Sequence, residues 1–597
     1  MDIAGEAELG KAYDARLVRR LWTYVRPYKP IFWGAVLLSP VSQAFSLVQP
    51  YLLKLGIDEY VMRGDVEGLR TLAFFFAGAI AGEFVSQYAQ QYLTTMVAQR
   101  SLADLRVSLF ARLQRFPLGF FDHNPVGRVV SRLTTDVDVL QEMFTAGAMT
   151  IVLDVMRLVG IVGFMLWINW RVALASLALF PVMVLAVDFF RRMARRTYRQ
   201  IRECIGRVNG FLQEAISGMT VIALSAAEER SFREFDQLND QHRQANHLSN
   251  RLEAALFSLV EAVSTVSIAV MLWEGGRLRA EHMVEIGTIV AFIQYIQQLF
   301  VPIRDFSAKY AVLQSSMTAA ERLFALLDLD MEPTPAEPRV PVRFQGEIVF
   351  DHVWFAYRDD EWVLRDVSFR VAAGEQVALV GATGSGKTTI TKLLDRLYDV
   401  TRGRVLVDGI DVRDWDVQAL RRRIAVVLQD VFLFSGTVAD NITLGRPEVP
   451  RAAVEAAAAH VNADGFVQRM GGYDATLRER GSNLSGGQRQ LLAFARALAH
   501  DPGILVLDEA TASIDRETEW LIQDALGKLL EGRTALVIAH RLSTIENADR
   551  ILVMHKGELR EEGPHAALLA RGGIYARLHR LQYAGERAPI AQAAGTP

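Results

Sequence analysis

The 597-residue chain carries 65 Lys+Arg against 68 Asp+Glu, a net charge of −3, so no basic surplus points to nucleic acid as a partner. Hydrophobic residues make up 51% and charged residues 22%, unevenly spread: long apolar runs fill the chain up to about Phe324, and the rest has the mix of an ordinary soluble domain. The single cysteine, Cys204, excludes an internal disulfide and fits a reduced, cytosolic setting.

The N-terminus, Met1-Asp-Ile-Ala-Gly-Glu-Ala-Glu, has no basic region followed by an apolar core, so no cleavable signal peptide is expected. The basic, amphipathic stretch from Arg16 to Tyr28 reads as an interfacial helix leading into a first membrane span. Six segments approach the ~20 residues a bilayer requires: Phe32–Leu53, Thr71–Leu93, Thr145–Ile168, Val172–Phe190, Ala254–Trp273 and Gly287–Ile303, the last two weakest by hydropathy. Spans three and four are separated by Asn169-Trp170-Arg171 alone. Long stretches separate span two from three and span four from five; both read as helical, over Met96–Phe116 and Arg191–Asn250. Both are Arg-rich, with Arg100, Arg106, Arg112, Arg115, Arg128 and Arg132 in one and Arg191, Arg192, Arg195, Arg196, Arg199, Arg202 and Arg207 in the other. The positive-inside rule places them, and with them both termini, in the cytoplasm.

Polar groups inside spans are costly and mark either function or interhelical pairing. Glu83 lies mid-span, Asp154 and Arg157 share a helix face and are placed to pair, Glu261 lies in span five, and Gln294, Gln297 and Gln298 share a face of span six. One reading is a water-accessible, partly acidic cavity for an amphiphilic, cationic substrate, with Arg157 the attraction for an anionic head group; the other is packing and satisfied pairs.

A Pro-rich stretch, Met331–Pro341, marks a boundary, and the Ala/Gly/Pro-rich end from about Ala584 is expected to be disordered. The expected division is a membrane domain over 1–325, a linker over 326–341, a nucleotide-binding domain over 342–583 and a tail over 584–597. Within the soluble part, the apolar run Gln376–Val380 leads into Gly381-Ala382-Thr383-Gly384-Ser385-Gly386-Lys387-Thr388, followed by Thr389 and an apolar helical pattern. This fits the phosphate-loop pattern in its strand–loop–helix setting. Its glycines let backbone N–H groups turn toward phosphate oxygens, Lys387 would hold the β/γ-phosphates, and the Thr388 hydroxyl would reach Mg²⁺. Gly503-Ile-Leu-Val-Leu-Asp508-Glu509 is a strand ending in two carboxylates: Asp508 suits Mg²⁺, and Glu509 is placed to polarise an attacking water.

Leu484-Ser485-Gly486-Gly487-Gln488-Arg489-Gln490 resembles the signature of ATP-binding cassette (ABC) proteins. The order of the other motifs fits that family. Tyr357 resembles the aromatic that stacks on adenine, Gln429 the glutamine that touches Mg²⁺ and senses the membrane domain, and Ala512-Ser-Ile-Asp515 the D-loop. His540 resembles the switch histidine on the γ-phosphate. Six spans ahead of one cassette resemble a half-transporter of the multidrug and lipid exporter type. The resemblance covers nearly the whole chain. It implies an N-terminal all-α membrane domain followed by an α/β phosphate-loop ATPase domain. Phe116–Val129 looks like a first coupling region and Phe211–Gly218 like a second. Ala475–Gly481 stands at the cross-linking loop, departing at Thr476 and Arg478.

The resemblance further implies ATP and Mg²⁺ as cofactors, a lipid bilayer as surroundings, and a second half-transporter as partner. Ser485 and Gly487 would complete the partner's nucleotide site. ATP would close the cassettes and turn the cavity outward; hydrolysis would reset it. Since Glu509, His540, Gln429 and Leu484–Gln488 are intact, a homodimer in a bacterial inner membrane is favoured. The alternative is the catalytic half of a heterodimer with a degenerate partner. A gated channel on the same scaffold is more remote, and a soluble cassette ATPase of DNA maintenance would lack the spans.

Overall fold

The computed structural model describes residues 14–144, 148–333, 335, 337–358, 361–508, 516–539 and 542–583. They form two compact units. One runs up to Arg115 and again from Asn124 to Leu329; the other joins Phe116–His123 to the chain from Asp330 onward.

The first unit is helical. Asp14 caps the short helix Ala15–Val25 by accepting from Arg16 N at 2.8 Å. Helix Lys29–Leu55 follows, with Pro40 and Pro50 inside it, and Asp65 caps helix Val66–Leu113. That helix has 48 residues, about 72 Å at 1.5 Å per residue. A hydrocarbon core of ~30 Å takes less than half of it, so the rest extends beyond, as the Arg-rich pattern requires. Next come Ala148–Ile168, Trp170–Leu177, Phe180–Ser217, Met219–Leu224, Glu228–Ala280 and Ile286–Asp328. Among the described residues five helical stretches are long and apolar enough to cross a membrane; the expected sixth span appears as the shorter apolar segment Ile286–Pro302.

The expected fourth span lies in the helical stretch Trp170–Ser217, long and apolar enough to cross a membrane, with an interruption at Ala178–Leu179. Asn169 caps Trp170–Leu177 through Arg171 N (3.1 Å) and Val172 N (3.2 Å). Pro181, in the first turn of the next helix, lacks the N–H that would carry the ladder through. The stretch Arg191–Asn250 is likewise not continuous. It breaks at Gly218 and again at Ser225–Ala227, where Ala226 takes φ +47°. The chain folds back there, so that Phe180–Ser217 packs along Glu228–Ala280, with Phe211 and Phe235 ring centroids 6.3 Å apart.

The two ends of this unit's helices are pinned by specific pairs. Asp58 accepts from Gly287 N at 2.6 Å and sits 3.4 Å from Lys54 Nζ, placing a buried carboxylate at the N-terminus of helix Ile286–Asp328. At that helix's other end Arg20 grips Asp328 with both guanidinium nitrogens at 2.6 and 2.7 Å. Between them lies an apolar core that includes Leu47, Met165, Met183, Met271 and Phe292.

The second unit is built on three sheets. Its strands are β1 (Ile348–Ala356), β2 (Trp362–Val371), β3 (Gln376–Gly381), β4 (Arg402–Val407), β5 (Ile410–Asp411) and β6 (Ile424–Val427). They continue with β7 (Gly436–Thr437), β8 (Thr476–Leu477), β9 (Ile504–Asp508), β10 (Thr534–Ile538), β11 (Arg550–His555) and β12 (Glu558–Gly563). The main sheet runs β12-β11-β3-β10-β9-β6, parallel except for the edge strand β12. The apolar runs Val377–Val380 of β3, Ile504–Leu507 of β9 and Ala535–Ile538 of β10 are its buried centre, as strands covered on both faces must be. A smaller antiparallel sheet, β2-β1-β4-β5, lies alongside, and β7 pairs with β8. The Pro-rich stretch is tied to this unit: Glu332 pairs with Arg421, and Pro333 O accepts from Arg396 at 2.9 Å.

Candidate functional site

Parallel strands bring their carboxyl ends to one edge of a sheet, where α/β proteins bind ligands. Here β3 pairs with β10 and β10 with β9, with Ile538 facing both Leu379 and Asp508; β9 also pairs with β6, with Leu507 facing Val427. The ends of β3, β9 and β6 therefore deliver the phosphate loop, Asp508 and Gln429 to one edge. Glu509, Asp515 and His540 lie outside the described residues; β9 ends immediately before Glu509, and β10 ends at Ile538, two residues before His540.

The loop backbone requires glycine. Gly384 and Gly386 take φ of +79° and +99°, the left-handed region. A Cβ on Gly386 would stand 2.6 Å from Leu364 Cδ2, and one on Gly381 2.3 Å from the Met554 carbonyl oxygen. Lys387 opens helix Lys387–Leu394 and folds back, donating from Nζ to Gly381 O at 2.7 Å and Ala382 O at 3.0 Å. Burial pulls its ammonium below the ordinary lysine value, and the Asp508 carboxylate opposes that pull. Thr388 Oγ1 donates to Asp508 Oδ2 at 3.3 Å, so two oxygens suited to a hard cation stand side by side. Ser385 Oγ is buried and without a hydrogen bond. A glycine-shaped loop, a stored cation, an unsatisfied hydroxyl and a Thr–Asp oxygen pair fit a Mg²⁺–nucleotide. Ala382, Thr383 and Thr388 are exposed, whereas Thr389 is buried. Gln429 is exposed in the bend after β6.

Tyr357 leaves β1 with its hydroxyl 3.2 Å from Thr389 Oγ1. Its ring meets Phe355 at 4.8 Å and Tyr398 at 5.1 Å, both edge-on, with Lys392 Nζ 5.4 Å from the ring centre. Tyr398 in turn donates to the Asp122 carboxylate in helix Leu118–His123, and Lys392 Nζ lies 4.0 Å from the same group. Burial, reinforced by the bond to Asp122, pushes the Tyr398 phenol above its ordinary value. Sequence reasoning missed Tyr398, Lys392 and Asp122 as a set; the aromatic two residues beyond the Leu-Asp-Arg run was the available signal.

The signature segment forms a helix start. Ser485 caps Gly486–Ala499, accepting from Gln488 N at 3.2 Å while Gln488 Oε1 accepts from Ser485 N at 3.0 Å. Gly487 is buried, its Cβ position 2.1 Å from Thr518 Cγ2, whereas Gly486 faces open space.

In the helical unit the predicted polar residues separate. Asp154 does not pair with Arg157, as their spacing suggested: it pairs with Lys309 at 2.5 Å, while Arg157 Nη2 donates to Gln298 Oε1 at 3.4 Å. A cation from another helix takes the half-buried carboxylate in place of the i,i+3 neighbour. Glu83 accepts from Gln49 Nε2. Glu261 and Gln297 are exposed and Gln294 half-buried.

Residues 32–303 match the model of the ABC transporter transmembrane region and residues 364–512 that of the ABC transporter. Whole-chain relatives agree. The chain is 38% identical over 579 residues to the uncharacterized ABC transporter ATP-binding protein YknV of Bacillus subtilis, covering 96% of each. The chain belongs to the ABC exporter family. It is 37% identical to an ATP-dependent lipid A-core flippase of Chromohalobacter salexigens, over 95% of this chain and 98% of the other. A bacterial Atm1-family ABC exporter solved with ATP bound matches with TM-score 0.76 at 28% identity, over 97% of this chain and all of that one. This ABC exporter chain is thus a multi-pass membrane protein whose ATPase domain drives transport.

Proposed function

We propose that the chain exports hydrophobic or amphiphilic compounds, or flips lipids, as a homodimer of half-transporters. The ATPase domain and both termini face the cytoplasm of a bacterium with the pump in its inner membrane, and the domain division is 1–325, 326–341, 342–583 and 584–597. The observation that carries this reading is the convergence of the phosphate loop, Asp508 and Gln429 at one sheet edge, in a chain whose other unit is apolar helices. The relatives named above support a lipid-like or amphiphilic cargo.

A bound Mg²⁺ would supply neutralisation of the nucleotide's phosphate charge. Thr388, Asp508 and Gln429 are the groups that would hold it. Gly381, Ala382, Thr383, Gly384, Ser385, Gly386 and Thr389 shape the loop that takes the phosphates, and Lys387 leaves its two carbonyl partners to meet them. Tyr357 offers a ring to adenine. Glu509 polarises the water, and His540 senses the γ-phosphate. Ser485, Gly486, Gly487 and Gln488 present a helix N-terminus to the nucleotide of the second chain, and Asp515 takes the part of the D-loop aspartate. The exposed apolar side chains at the tip around Gly218, Ile216, Met219, Val221 and Leu224, support a partner that covers them.

Asp122 links the first coupling segment to Tyr398 and so to Tyr357. Asp122→Ala is expected to lower transport about tenfold, the loss of a hydrogen bond to a charged group. ATP hydrolysis should persist without stimulation by cargo. Transport into inverted vesicles checks this; full transport by the variant would break the proposed link.

The charges at Glu83 and Glu261 favour a cationic head group. Glu83→Gln and Glu261→Gln are expected to reduce export of a cationic dye by about tenfold, equivalent to ~1.4 kcal/mol, with basal ATP turnover retained. If neither changes export of any such dye, the acidic-cavity reading goes, and the packing role already visible in the Gln49–Glu83 bond accounts for the first.

A further inference from the structure

We propose that Glu546, His565 and His579 form a binding site for a divalent transition ion, with Zn²⁺ as the occupant, remote in chemistry from the Mg²⁺–nucleotide site. One ligand atom from each lies within 4.8 Å of the other two, and His565 Nε2 is 3.7 Å from Glu546 Oε1. Zinc at about 2.0–2.1 Å from each donor in tetrahedral geometry needs them roughly 3.3 Å apart. Side-chain rotations that bring the atoms ~1.5 Å closer therefore close the site. The three residues come from three elements: helix Leu542–Glu546, helix His565–Arg571 and helix Ile574–Tyr583. Their convergence is a product of the fold, not of local sequence.

The surroundings are those of a metal site. His565 Nδ1 lies 2.6 Å from the Tyr575 hydroxyl, which leaves Nε2 directed at the cluster. Tyr575 is held in the apolar core with Ile545 and Leu568, so this orienting partner is rigid. Ligating histidines generally engage the second ring nitrogen in such a bond. Two imidazoles and one carboxylate select a borderline ion over Mg²⁺ or Ca²⁺, and three protein donors leave a fourth position for water. The His565 and His579 ring centroids are 5.7 Å apart with the planes tilted at 57°, so the two imidazoles are neighbours without being stacked. Because Glu546 ends helix Leu542–Glu546, a bound ion would tie that helix to the C-terminal helices.

The test uses the full chain in lipid nanodiscs, purified through a tag without histidine and stripped with a chelator. Zn²⁺ alone is titrated by calorimetry, and Co²⁺ serves as a visible-absorption probe. The expected result is one site per chain, with tetrahedral Co²⁺ bands that Zn²⁺ displaces. Glu546→Gln and His579→Ala should each weaken Zn²⁺ affinity at least about a hundredfold, since a ligand bond is lost in each. Glu546→Gln keeps the side-chain shape, and its binding of a fluorescent ATP analogue verifies the fold. Absence of Co²⁺ bands and of Zn²⁺ heat in the parent chain overturns the proposal. So does Zn²⁺ binding that both variants leave unchanged, because the ion would then sit elsewhere.

Discussion

Replacing Lys387 with alanine is expected to lower ATP turnover about 10²–10³-fold, the usual loss when one preorganised group facing developing charge is removed. The structure gives two reasons for an effect of this size. The ammonium stores its hydrogen bonds on Gly381 O and Ala382 O, at 2.7 and 3.0 Å, so it also fixes the shape of the loop. It is buried, and burial makes its charge more effective as well as more costly. Arginine is no substitute, because a planar fork does not fit where a compact ammonium bridges two carbonyls. Phosphate release measured with and without Mg²⁺, beside equilibrium ATP binding, checks this. Turnover within tenfold of the parent would contradict the assigned role.

The second large effect is expected at Gly487. An alanine Cβ there would stand 2.1 Å from Thr518 Cγ2 and 3.4 Å from Ile522 Cδ1, so helix Gly486–Ala499 must move off helix Arg516–Leu530. Overpacking of this kind costs about 1–3 kcal/mol. The movement carries Ser485 and its reciprocal cap with Gln488 away from their positions. A displacement of ~1 Å at a positioning element costs about 10² in rate. Gly487→Ala is therefore expected to lose about a hundredfold in turnover while each chain still binds ATP at its own phosphate loop. Gly486→Ala is the contrast: its Cβ meets nothing within 4 Å in this chain, so its melting temperature should match that of the parent. Equal stability of the two variants would remove the packing argument.

The elements that were legible in the sequence are those with a local physical signature. The apolar runs into Gly381 and Asp508 are buried parallel strands, and such strands read as continuous hydrophobic stretches. The phosphate-loop glycines were legible because Gly384 and Gly386 take positive φ and a Cβ on Gly381 would meet the Met554 carbonyl, both of which favour glycine. The long helices between spans were legible from length and Arg content. What escaped depends on partners far apart in the chain. Asp154 has a plausible local partner in Arg157, and nothing local indicates that Lys309 takes its place. Tyr398 and Asp122 are 276 residues apart, so their hydrogen bond exists only through the fold. The same holds for Asp58 on Gly287 N. The break before Phe180 was legible in principle from Pro181, but the hydropathy of the segment runs through it without a dip. Hydropathy reports burial in lipid, not continuity of the backbone ladder.

The most direct test of the central claim is the ATPase activity of this chain expressed alone in lipid nanodiscs, beside its Glu509→Gln variant. A self-sufficient homodimeric exporter gives robust Mg²⁺-dependent turnover, abolished by the substitution, because the polarising carboxylate is lost while the loop, Thr388 and Asp508 remain. A well-folded preparation that binds ATP and shows no turnover would contradict the account, and would assign the second half of the pump to an unlike partner chain.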